Sequence, residues 1–249
     1  MSESHEWFQD ESLWELTQPI LFTPELWEAA TANIEKICTL LRLDPSTAIL
    51  DLCCGPGRYA IPLAAKGYRV TAVDRTRCFL SELRTRATDA ALDIEIIESD
   101  MREFCRPDAY DAAIFMLTSF GYFEDPEDDI RVLRNLFASI KPGGRLLVEI
   151  TPREWLTHTF QARDWLRHDD RFLLCERRFV DSFARLHNHW IVIHGSLRRE
   201  WEFNLRLYGA SDLCALFQKV GFSSATAMGN LDGAPCDFKC SRLYVAATK

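Results

Sequence analysis

Nine consecutive residues, Leu50–Arg58 (LDLCCGPGR), put a carboxylate, two thiols, two glycines and a guanidinium into one short stretch. Such a set could serve thiol chemistry, or it could seat a ligand against bare backbone. Gly55 and Gly57 follow the apolar run AILDLC, which reads as a buried strand, and they open a helical pattern. Chain of that kind can turn tightly and approach a ligand closely at the carboxyl edge of a sheet. With Ala60 the spacing is G-x-G-x-x-A, and Asp74 ends the next apolar run, where an acid that binds ribose hydroxyls belongs.

A dinucleotide is one ligand for this turn, but Asp51 argues against it. A dinucleotide site sets a pyrophosphate against the helix start. A carboxylate four residues before the first glycine would meet like charge there, at a cost on the order of a few kcal/mol. Asp51 fits a cation better. S-adenosylmethionine has no phosphate and carries an ammonium and a sulfonium, while its own carboxylate can take the free amides of the glycine loop and helix N-terminus.

The elements that must hold this turn follow from apolar spacing. Residues 23–42 read as a helix with Thr23 as cap, Pro24 at the first position and a stripe of Leu26, Trp27, Ala30, Ile34, Ile37 and Leu41. An aromatic arm with Trp7, Phe8, Trp14 and Phe22 precedes it. From Ala48 on, short apolar runs (AILDLC, RVTAV, DIEII, DAAIFML, RLLVEI) alternate with helical patterns at 57–66, 76–90 and 126–140. That alternation predicts right-handed crossovers and a doubly wound α/β fold with a parallel sheet. After Pro152 the runs RFLLCERRFV, NHWIVIHG and LRREWEFNLRLY have a period of two and predict antiparallel strands, with a turn at Gly195-Ser196. Helical spacing returns at SDLCALFQKVGF, and SSATAMG and SRLYVAAT close the chain. The expected organisation is an arm and helix over 1–44, a ligand-binding domain over 45–152 and 208–249, and a β-rich insertion over 153–207 as a substrate cap.

The stretch ILDLCCGPGRYAIPLAAKGYRVTAVD resembles the first motif of the class I S-adenosylmethionine-dependent methyltransferases, followed by that family's acid at the end of the second strand. IESDMREF resembles its adenine-binding turn, YDAAIFMLTSFGYF its fourth strand and active-site loop, and LRNLFASIKPGGRLLVEI the helix, glycine turn and fifth strand. The ordered set spans roughly residues 45–151. It implies a Rossmann-like methyltransferase fold with a mostly parallel seven-stranded sheet. More loosely, the EWF arm, the insertion and DGAPCDFKCSRLYVAA are similar to a bacterial branch of small-molecule methyltransferases, which names no substrate.

The cofactor set implied is Asp51, Cys53, Gly55, Gly57, Arg58, Asp74, Arg75, Asp100, Met101, Arg102, Leu117 and Ser119. Asp74 would bind the ribose hydroxyls, Asp100 the adenine amino group and the Met101 backbone the ring edge. Arg58 would either pair with the cofactor's carboxylate or stand exposed in the first helical turn. Cys53 and Cys54 fall where the family carries a small residue and a cysteine, so packing explains them. In-line methyl transfer needs alignment and exclusion of water more than an acid or base. If a base is used, Tyr122, Tyr208 and His189 are the candidates, with His187 and His194 near the last. The arm could close over the cofactor as a lid, or pack on the sheet's flank or at a subunit contact.

Bulk properties narrow the acceptor. A formal net charge of −8 opposes general attraction to nucleic acid, and 47% hydrophobic residues in 249 supply a sizeable core. The polar start MSESHEWFQDESLWE reads as neither signal nor transit peptide, and no apolar run approaches the ~18 residues of a membrane span. Nine scattered cysteines fit a reducing, cytoplasmic setting, and Cys236 and Cys240 lack a second ligand pair at metal-site spacing, so no metal is expected. The leading expectation is methyl transfer to nitrogen or oxygen of a small molecule, with S-adenosylhomocysteine as product. RNA or protein methylation, a noncatalytic S-adenosylmethionine-binding module and a nicotinamide oxidoreductase stand as rivals, and a monomer and a homodimer are both open.

Overall fold

A computed structural model describes residues 6–249, so residues 1–5 of the expected arm lie outside the described residues. Behind a short 3-10 turn at Trp7–Gln9, the arm is helical: α1 (Glu11–Leu21) starts on Asp10, whose Oδ1 accepts from the Ser12 amide at 2.9 Å. Leu13, Thr17 and Ile20 share its buried face, and Pro19 lies in its last turn, where it cannot donate to the Glu15 carbonyl. In sequence this stretch is an aromatic arm with no helical pattern. Next, α2 (Pro24–Leu41) covers the span expected of it.

The wound domain then runs β1 (Ala48–Leu52), α3 (Ala60–Ala65), β2 (Arg69–Asp74), α4 (Arg77–Asp89), β3 (Ile94–Glu98), β4 (Tyr110–Phe115), α5 (Pro126–Ser139) and β5 (Ile140–Ile150). The helix expected from residue 57 begins at Ala60, because Gly57 holds a φ of 92° that no helix accepts. The short α6 (Arg153–His158) leads into β6 (Arg163–His168), β7 (Arg171–Val180), β8 (Arg185–His194) and β9 (Leu197–Arg206), and the chain ends with α7 (Ala210–Val220), β10 (Ser224–Met228) and β11 (Leu243–Thr248). Two residues, Gly195 and Ser196, join β8 to β9, since His194 pairs with Leu197.

One seven-stranded sheet has the order β10-β11-β5-β4-β1-β2-β3; β11 runs antiparallel to both its neighbours, β5 and β10. Alternate residues feed two cores. Leu50, Leu52, Ala113, Phe115 and Val148 pack with α5 and α7 on one face, and Ile49, Ala112, Ile114 and Leu147 pack with α2, α3 and α4 on the other. This is the doubly wound architecture, with a separate antiparallel sheet β6-β7-β8-β9 beside it. β6 carries no alternation in sequence: RDWLRH has charges at 163, 164 and 167 around two apolar residues, and Trp165 stays 62% exposed, as an edge strand allows.

Candidate active site

β1 lies between β2 and β4, where the strand order reverses and open α/β sheets bind ligands at their carboxyl ends. The bend beyond it is left-handed at Cys53, Gly55 and Gly57, with φ of 56°, 55° and 92°. A side chain on Gly57 would drive into Leu83 of α4, so this glycine is fixed by space as well as by φ. The Gly55 amide donates to Asp74 Oδ2 at 2.9 Å, and the Thr76 amide donates to Oδ1 at 2.8 Å. Burial raises the Asp74 carboxyl, and these amide bonds draw it back down.

Asp51 is the anomaly of the bend. It is 2% exposed, and its Oδ2 has no hydrogen-bond partner among the described residues. Burial, reinforced by the nearby Asp74, lifts its carboxyl to about 8, with the Ala60 amide opposing. A bare buried carboxylate is costly unless a cation meets it. Arg58 is its counterpart: 5% exposed, with Nη2 donating to the Leu21 carbonyl at 2.9 Å, its guanidinium 4.6 Å from the Phe22 ring centre, and Nε unpartnered among the described residues. The exposed first-turn position open to it in sequence is thus not the one it holds.

A cavity of about 750 Å³ lies over this bend. Asp51, Cys53, Gly55, Arg58, Asp74, Arg75, Asp100, Met101, Leu117 and Ser119 border it; Gly57 and Arg102 do not. Gly57 underlies the turn. Arg102 stands behind Asp100, to which it pairs at 2.8 Å, and also pairs with Glu6 at 2.7 Å. Burial acts to raise the Asp100 carboxyl, but the Arg102 side-chain and backbone hydrogen bonds outweigh it and the group ends below its ordinary value. Arg75 donates to the Phe8 carbonyl at 2.8 Å, tying the arm to the rim. Leu117 and Thr118 hold φ of 63° and 60°, steadied by the Thr118 amide on the Glu149 carbonyl at 3.1 Å. Two successive strained non-glycine residues cost about 1–3 kcal/mol each, as residues at functional sites often do.

The three candidate bases are scattered. Tyr122 borders the cavity with its ring 4.8 Å from that of Trp7, and burial pushes its phenol up, so it is a hydrogen-bond donor rather than a phenolate at neutral pH. Tyr208 does not border the cavity: its hydroxyl donates to Asp129 Oδ2 at 2.7 Å, an oxygen shared with Arg206 Nε at 3.1 Å. His189 is on the outer face of the four-stranded sheet, between Glu200 at 2.9 Å and Glu176 at 3.5 Å, and it borders a separate groove with His187. The alternation of β8 that aligns these two histidines also turns both away from the cavity. Among the described residues no group of three or more His, Cys, Asp or Glu could hold a metal ion.

The cavity's roof was not legible in motif form. It consists of Trp7, Phe8 and Trp14 from the arm together with Cys175, Arg177, Trp190 and Phe203 from β7–β9. The period of two in RFLLCERRFV already put Leu173, Cys175 and Arg177 on one face, but which face turns inward depends on how the sheet docks. Tested against this lining, a sulfonium nucleoside with an amino-acid tail fits: it asks for a bare carboxylate, a glycine turn and an acid ending β2, which are Asp51, Gly55 and Asp74.

Known proteins agree with that fit. Residues 49–144 match the family described as Methyltransferase domain. YqeM of Bacillus subtilis, which carries the name of a methyltransferase, is 34% identical over 207 residues, covering 81% of this chain and 83% of the relative. A solved S-adenosylmethionine-dependent methyltransferase from Clostridium acetobutylicum superposes with a TM-score of 0.76 at 18% identity, covering 95% of this chain and 97% of its own. CalS10 of Micromonospora echinaspora, an amino pentose methyltransferase solved with S-adenosylmethionine bound, superposes with a TM-score of 0.67 at 18% identity and the same coverage of 95% and 97%. At such identities these two structures speak for the fold.

Proposed function

The chain belongs to the S-adenosylmethionine-dependent methyltransferases of class I, and from that premise we propose that it methylates nitrogen or oxygen of a small molecule enclosed between its two sheets. One observation carries the reading: the unpartnered Asp51 carboxylate opens onto a cavity of about 750 Å³ whose far side is roofed by aromatic residues. That volume, closed over by arm and insertion, suits a small acceptor better than a folded RNA or protein segment. CalS10, similar in fold, acts on an amino pentose.

When bound, S-adenosylmethionine supplies a methyl group on a positively charged sulfur, which leaves without needing a proton. Asp51 holds the cationic part of the amino-acid tail and Arg58 its carboxylate. Asp74 takes the ribose hydroxyls with the lone pairs that the Gly55 and Thr76 amides leave free. Asp100 and the Met101 backbone read the adenine, and the carbonyls of Leu117–Ser119 line the path to the acceptor. The roof excludes water and aligns the acceptor, and proximity of this kind accounts for several kcal/mol of barrier lowering. Tyr122, a neutral phenol beside the rim, donates a hydrogen bond to the acceptor. Tyr208 acts at a distance, by bracing Asp129 and Arg206.

Incubation of the protein with methyl-labelled S-adenosylmethionine and a metabolite extract tests the proposal. Label should appear in a product of small mass. Label recovered only in RNA or protein, or no product at all despite bound cofactor, would contradict it.

A further inference from the structure

The acids around the cavity are confined to one side, where Arg58, Arg75 and Arg242 accompany them. Each of its carboxylates, Asp51, Asp74 and Asp100, stands on the rim of the parallel sheet, where the cofactor's place is. Among the described residues the roof formed by the four-stranded sheet contributes no acid to the lining; it contributes Arg167 and Arg177. Arg177 borders both the cavity and the outer groove; it gives Nη1 to Asp164 at 2.7 Å, and its Nη2 and Nε make no hydrogen bond among the described residues, which leaves that edge of the guanidinium for a ligand.

The aromatic residues add to this bias. An aromatic cage for an ammonium needs open ring faces, which carry the negative side of the quadrupole. Here several faces are taken up by other rings. Trp7 stacks on Phe203 at 4.1 Å and 15°, Tyr122 tilts onto Trp7 at 4.8 Å, and Trp190 meets Phe203 at 5.1 Å and 79°. The indole N–H groups of Trp7 and Trp190 are buried without an acceptor among the described residues. Unpaired donors in a wall lower the free energy of a complex when the ligand brings oxygen acceptors. A cationic amine would meet the guanidiniums of Arg167 and Arg177 on this side and no acid in the lining.

We propose that the methyl acceptor is a ring-bearing molecule with an acidic group, seated under the four-stranded sheet and read by Arg177. The inference rests on the methyltransferase reading above, and it separates this chain from an enzyme built for amino sugars. Flat apolar bodies fit the slot between the roof rings and the bend, and the acid group pairs with the guanidinium fork, which matches a carboxylate in geometry as well as charge. Arg177 is therefore a specificity-determining residue.

The test uses the full chain saturated with S-adenosylhomocysteine and titrated calorimetrically with two probes of like ring and opposite charge, indole-3-propionate and tryptamine. The carboxylate should bind at least about tenfold more tightly than the amine. Arg177→Met should abolish that preference while still binding S-adenosylhomocysteine, and Arg163→Met, on the outer face beside Glu176, should keep it. Equal or tighter binding of tryptamine overturns the proposal even if the Arg177 variant fails to fold, because the wild-type comparison stands alone. Binding of neither probe, or a preference that survives Arg177→Met, also overturns it. If S-adenosylhomocysteine itself does not bind, the methyltransferase reading falls along with the inference, whereas tight S-adenosylhomocysteine with an amine preference removes the inference alone.

Discussion

The two sheets that share the cavity treat charge in opposite ways. On the parallel sheet, Asp51 and Glu149 are 2% and 3% exposed, and each keeps one oxygen without a partner among the described residues. On the four-stranded sheet the histidines are paired with acids: His189 with Glu200 at 2.9 Å, His187 with Glu202 at 3.7 Å, His194 with Asp170 at 3.1 Å. Toward the cavity this sheet presents Arg167 and Arg177 among apolar residues, with Arg177 paired to Asp164 at 2.7 Å, and the amide of the buried Asn188 donates to the Leu186 carbonyl at 3.0 Å. Unpaired buried charge persists only where a rigid core holds it in place, and there it marks ligand chemistry. In the proposed function the wound domain supplies affinity for the cofactor, and the added sheet supplies shape and selectivity.

The comparison breaks most visibly at Gly57. Gly57→Val forces a branched side chain into Leu83 and into a φ of 92°, so we expect a loss of about 3 kcal/mol or more in urea unfolding, with cofactor binding lost as well. A comparably bulky change on the outer face of the four-stranded sheet should cost far less.

Asp51→Asn comes next. It should weaken S-adenosylhomocysteine about 100-fold in calorimetry, equivalent to about 2.7 kcal/mol. Stability should move the other way. The folded Asp51 carboxyl sits at about 8 against an ordinary 3.8, so its contribution is full below 3.8 and is lost as pH rises through 8. The ligand-free variant should therefore gain melting temperature over wild type progressively across that window. Wild-type affinity for S-adenosylhomocysteine should rise over the same window, as Asp51 ionises to meet the ammonium. An affinity flat in pH would contradict this role.

The seam between the regions is sharpened by Arg206. Its amide donates to the Gly121 carbonyl at 2.7 Å, its Nη2 to the Glu124 carbonyl at 2.8 Å and its Nε to Asp129 at 3.1 Å, so the end of β9 clamps the loop that carries Tyr122. Arg206→Lys keeps the charge but loses the fork. It should cost about 1–2 kcal/mol of stability and raise KM more than it lowers kcat. Burial lifts the Asp129 carboxyl to about 6, opposed by Tyr208 and Arg206.

The smallest effect belongs to His189→Ala. The side chain faces the outer groove, so turnover should stay within about twofold and stability within about 0.5 kcal/mol. A large drop in kcat would place the reaction on the wrong side of the sheet.

Much of the wound domain was legible because its strands are short apolar runs set between amphipathic helices, and because Asp51, Gly55 and Asp74 are spaced by the geometry of one crossover. The turn glycines announce themselves, since few other residues hold their φ. The roof was less legible. Cys175, Trp190 and Phe203 alternate in sequence as any half-buried strand would, and only docking decides which face turns toward the cavity. Tyr208 illustrates the limit: nothing local says that its hydroxyl goes to Asp129, 79 residues away in sequence. Nor does α1 carry a clean signal, with Pro19 inside it and Trp14 its one aromatic residue.

A crystal structure with S-adenosylhomocysteine would test the division of the cavity most directly. The nucleoside should lie along the parallel-sheet rim, its amino group on Asp51 and its ribose on Asp74, leaving the space beneath Trp7, Trp190 and Phe203 open. A nucleoside lodged under those rings, with Asp51 still bare, would contradict the account.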